Sequence, residues 1–120
     1  MDHVGIIEVL QRSTAETQYK SLQKAVRWLA DRFYLEKAIA ERAENGIAWA
    51  KANAMPMMLI AVSLLLVPSG WTGNIGFGRG LNRAVLFSPN FLSESNEPPI
   101  EAEHDLEAIA LAIAAIQARS

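Results

Sequence analysis

The stretch ANAMPMMLIAVSLLLVPSGW, residues 52–71, runs for twenty positions without a formal charge in a chain that is charged on both sides of it. From Met57 to Val67 only Ser63 is polar, and Trp49 and Trp71 bracket the run. A helix rising about 1.5 Å per residue would set those two rings roughly 33 Å apart, near the thickness of a bilayer's hydrocarbon core. The strictly apolar centre, Met55 to Val67, is only thirteen residues long and contains Pro56. That length suits a buried core helix. On an insertion scale the leucines, isoleucine and valines contribute on the order of −2 to −4 kcal/mol, which Pro56, Asn53 and Gly70 partly offset. The stretch therefore supports two readings, a membrane span or the core helix of a globule. If it spans, Arg32, Lys37, Arg42 and Lys51 before it outnumber Arg79 and Arg83 after it, which places the N-terminus in the cytoplasm.

Composition favours helices. A length of 120 residues fits one domain, and nineteen alanines within the apolar fraction of 51% suit helices better than a thick core of large side chains. The expectation is an all-α protein: residues 1–51 form a charged amphipathic region, 52–71 an apolar helix, 72–99 a Gly/Pro/Ser-rich connection and 99–119 a C-terminal amphipathic helix. Charge runs from +1 over residues 1–51 and +2 over 52–93 to −5 over 94–120, for a net −2. Nothing in that balance favours nucleic acid. Without cysteine there are no disulfides and no thiolate metal sites, and the N-terminus lacks the basic-then-apolar pattern of a secretory signal.

In the first region Val4, Ile7 and Leu10 have helical spacing, with Asp2 as N-cap. Ser13 and Glu16 match a capping box, which predicts a long second helix over residues 14–44. Leu22, Val26, Leu29 and Phe33 recur along it at heptad-like spacing, and Lys and Arg interleave with Asp and Glu as on a solvated face. Asn45-Gly46 reads as its stop signal. After the central stretch, glycines 70, 73, 76, 78 and 80 read as a flexible connection, since their spacing matches no phosphate-binding loop. Residues 81–87 then read as a short amphipathic helix with Phe77, Phe87 and Phe91 as apolar contacts, and residues 93–99 as a linker. The last helix carries Leu106, Ile109, Ile113 and Ile116 as a stripe, with alanines that permit close approach.

Candidate chemistry is thin. Glu101 and His104, three apart, fall on one face of the expected last helix and match half of a di-iron ligand set. Only a homodimer could supply the second pair, with Glu36 or Glu41 facing it, and the reading adopted is an acidic helix N-terminus beside a solvated histidine. No serine sits in a nucleophile-elbow context. No catalytic, cofactor-binding or metal-binding residue is assigned. The sequence supports a non-enzymatic protein acting through helix association with a protein partner or with itself. The interaction residues are Leu22, Val26, Leu29 and Phe33 together with Leu106, Ile109, Ile113 and Ile116. Its first form is a small membrane-associated accessory or regulatory subunit; the alternative is a cytoplasmic, soluble interaction module whose apolar stretch is buried.

Overall fold

Among the described residues the chain forms five helices and a three-stranded antiparallel sheet, which corrects the all-α expectation. The computed structural model describes residues 1–77, 80–90 and 97–119, and Phe77 by its backbone only. The order is α1 (His3–Gln11), α2 (Gln18–Asp31), α3 (Lys37–Ala52), α4 (Met58–Leu65), β1 (Thr72–Phe77), β2 (Asn82–Phe87), β3 (Ile100–His104) and α5 (Glu107–Gln117). Gly78, Arg79, Phe91 and most of the 93–99 linker lie outside the described residues.

Asp2 caps α1 by accepting the Gly5 N–H at 2.8 Å, which satisfies one of the donors a helix start leaves open. The next helix does not begin on the Ser13–Glu16 box. Ser13 instead donates to the Val9 carbonyl, closing off α1, while Thr14 and Thr17 each accept the other's backbone N–H one turn before α2. Hydroxyls on both residues can satisfy both donors, so the reciprocal pairing survives one residue further along.

The expected helix over residues 14–44 is two helices. Phe33 adopts a left-handed φ of 60°, with Phe33 N–H bonded to the Ala30 carbonyl and Tyr34 N–H to the Leu29 carbonyl. Those two bonds are a Schellman motif, which satisfies the last carbonyls of α2 and turns the chain. Asn45-Gly46 does not stop α3, which runs through it to Ala52. Its end repeats the motif: Ala54 has φ 50°, Ala54 N–H meets the Lys51 carbonyl and Met55 N–H the Ala50 carbonyl. Neither left-handed position holds glycine, so the ordinary stop signal is missing at both real helix ends. Gly46 serves a different purpose. A Cβ there would lie 2.8 Å from Val62 Cγ2, so the missing side chain is what lets α3 and α4 approach.

The uncharged stretch that suggested a membrane span yields one helix of eight residues, α4. The Ala54 turn and Pro56 delay its start, and the turn at Pro68 to Gly70, where φ is +84°, ends the segment. No helix among the described residues is long and apolar enough to cross a membrane, which overturns the transmembrane-helix reading.

The central element is α5. Every residue from Ala108 to Ile116 is buried, as expected of a helix apolar on all sides. It packs against α4, β2, β3, α1 and α2, and its alternating alanines give room for neighbours on every side. Ser63, the one polar residue of the apolar run, is fully buried and donates to the Ala108 carbonyl at 2.7 Å, joining α4 to α5. At the far end Arg119 donates to the carbonyls of Leu66 and Tyr34, tying the end of α5 to the ends of α4 and α2. Burial pushes that guanidinium's pKa below its usual value.

The sheet takes segments read above as connection and helix. Order is β1-β2-β3, with Ile75 opposite Ala84, and Ala84 opposite Ala102. Ala84, Leu86 and Ala102 turn inward, whereas Arg83, Glu101 and Glu103 turn outward. Residues 81–87, expected to be a helix, are mostly β2 because a period of two buries Ala84 and Leu86 together. Gly73 lies opposite Leu86, where a Cβ would stand 2.3 Å from the Val85 carbonyl oxygen. A glycine that looked like flexibility is a close-packing requirement.

Candidate interaction surface

The eight residues read as interaction stripes divide unevenly. Leu22, Val26, Leu29, Ile109, Ile113 and Ile116 are buried in this chain's own core, and Leu106 is half-buried against it. Phe33 is 94% exposed. Seven of the eight thus already have intramolecular neighbours, and the larger exposed apolar surface lies elsewhere.

That surface is the outer face of α4. Leu59, Val62, Ser63 and Leu66 point to the core, so the helical repeat turns Met57, Met58, Ala61 and Leu64 outward, where they are exposed. Met57 is 78% exposed and Leu64 57%. Trp49 of α3, 48% exposed, stands beside them. An ordinary amphipathic helix would carry polar residues on this side, but α4 has none. Between α3 and α4 the surface dips into a groove of about 320 Å³ lined by Arg42, Gly46, Trp49, Met58, Ala61, Val62 and Leu65. Past Leu64 a second cleft of about 470 Å³ runs on between α4 and the sheet, with Val67, Trp71, Ile75 and Leu86 in its walls. Exposed apolar side chains grouped on one helix face are a signal of binding, and methionine side chains adapt readily to varied partners.

The charged and polar clusters are structural. Arg83 pairs with Glu103 across β2 and β3 at 3.0 Å, and that hydrogen bond raises the pKa of the exposed guanidinium. Arg27 pairs with Glu44 across α2 and α3. Glu101 and His104 do not share a helical face as expected, because they lie on β3, where residues three apart point to opposite sides. Both His104 nitrogens are occupied: Nδ1 accepts the Leu106 N–H at 3.0 Å, so Nε2 carries the proton and faces the Gln11 carbonyl at 3.1 Å. Among the described residues no group of three or more His, Asp or Glu is placed to hold a metal. His3 stacks edge-on to Trp28, whose indole donates to the Met1 carbonyl, and Arg32 lies over the same ring, so this cluster anchors the N-terminus.

Sequence reading missed the α4 face because it was assigned wholly to the bilayer or wholly to the core. Two signals were present. Met55, Met57 and Met58 cluster around Pro56, and no Asp or Glu occurs between Glu44 and Glu94. No protein family, curated protein or solved structure matches the chain.

Proposed function

We propose that this protein is a non-enzymatic interaction module that docks a protein partner on the outer face of α4. One observation carries the reading: Met57, Met58, Ala61 and Leu64 form an uncharged, exposed helical face beside Trp49, with no polar residue among them. A short helix in an isolated globule gains nothing from such a face, whereas covering it would contribute about 1.5–3 kcal/mol for each large side chain fully buried. Docking on an adaptable, methionine-rich surface accords with an accessory or regulatory role. On this reading the protein works in an aqueous compartment with α4 lying on its surface.

A photo-crosslinking residue in place of Met58 tests the proposal in cells that express the chain natively, with the same residue at exposed Glu8 of α1 as reference. A discrete protein adduct at position 58, absent at position 8 and lost when Leu64→Glu is added, is the expected result. Identical adducts at both positions, or none at position 58, would refute it. Leu64 is exposed, so the added charge leaves folding nearly unaffected.

A further inference from the structure

Building on that reading, we infer that the occupant of the α3–α4 groove is an amphipathic helix carrying a carboxylate opposite Arg42. The groove has a small exposed residue at Ala61 and larger walls at Trp49, Met58 and Leu65, while the space beside Gly46 is taken by Val62. A small residue among larger walls leaves a depression that accepts the ridge of another helix. Arg42 is the only charged residue in the lining, and it is exposed. Neither ion pair among the described residues involves it: Arg27 holds Glu44, and Arg83 holds Glu103. Its neighbours Glu41 and Glu44 line the separate groove between α2 and α3, on another side of α3. The next acid along the chain is Glu94. A cation at the edge of an apolar groove, with no carboxylate among the other lining residues, complements an apolar ridge flanked by Glu or Asp. A flat anionic membrane fits less well, since the site is concave and Arg42 is the one cation in its lining.

The test uses the full chain and a displayed library of helical peptides with leucine at i, i+3, i+4 and i+7 and randomised flanking positions. Selected peptides should carry Glu or Asp at one flanking position, and their binding should shift the amide resonances of Gly46, Trp49 and Ala61. Replacing that acid by Lys should weaken binding about fivefold, and Arg42→Glu should reverse the preference, as expected for an exposed pair changed from attraction to repulsion. Arg42 is exposed, so circular dichroism should show the variant folded. Peptides that bind at the groove with no charge preference, or with one that Arg42→Glu leaves unchanged, overturn this inference and leave the α4 docking reading standing. A concentration-dependent dimer in sedimentation that excludes the peptides makes a second copy the occupant and overturns it too. Flotation with phosphatidylserine vesicles, with no peptide selected, overturns both readings.

Discussion

Exchanging glycine and alanine at one position within α3 and at one just past its end decides whether the helix passes through Gly46 and turns off at Ala54. Ala54 sits at φ 50° and is exposed. An L-residue there costs roughly 1–2 kcal/mol, while glycine costs about 0.5–1 kcal/mol in added chain entropy. Ala54→Gly should therefore stabilise the protein by about 0.5–1 kcal/mol. Gly46→Ala should do the opposite of what helix propensity suggests. Propensity favours alanine by about 1 kcal/mol, but the new Cβ would meet Val62 Cγ2 at 2.8 Å, and β-branched Val62 has little rotamer freedom to retreat. Overpacking costs about 1–3 kcal/mol, so the net loss should be up to about 2 kcal/mol, relieved by Val62→Ala in the same chain. Urea denaturation followed by far-UV circular dichroism measures both changes. Had the helix ended at Asn45-Gly46, Gly46→Ala would place a side chain in the left-handed terminus and Val62→Ala would not rescue it. A stabilising Gly46→Ala, or a destabilising Ala54→Gly, would refute the account of α3.

Three further expectations follow from the packing. Gly73→Ala should cost about 2–3 kcal/mol, because its Cβ would strike the Val85 carbonyl oxygen at 2.3 Å; hydrogen exchange should show β1 losing protection before the helices. Ser63→Ala should cost about 1 kcal/mol, the net worth of one hydrogen bond, since the Ala108 carbonyl lies in the first turn of α5 and keeps its position there; urea midpoints check it. Ile113→Asp, with its side chain in the middle of a helix enclosed by α1, α2, α4 and the sheet, should abolish the cooperative unfolding transition by burying an unpaired carboxylate. Detachment of α5 alone, with the remaining helices still protected from exchange, would refute its central placement.

The amino-acid sequence by itself determined the parts governed by local chemistry. Asp2 caps α1 because a carboxylate three residues from an open N–H needs nothing from the rest of the chain, and the Leu22, Val26, Leu29 stripe faces inward because helical spacing puts those residues on one side. Ile100 to His104 reads as the first turn of the helix over residues 99–119, because prolines and acidic residues suit a helix start, whereas its apolar/polar alternation is β3. Only the tertiary structure decided the rest. Phe33 and Ala54 end helices without glycine because the Schellman bonds and the next helix's packing hold them left-handed, while Gly46 and Gly73 serve close contact where glycine usually signals a turn or a stop. The same holds for the stretch around α4: its composition is equally apolar on every side, and hydrophobicity has no direction. Which side becomes core was settled by where α5, the longest fully buried run, could be enclosed, and that left Met57, Met58, Ala61 and Leu64 facing outward.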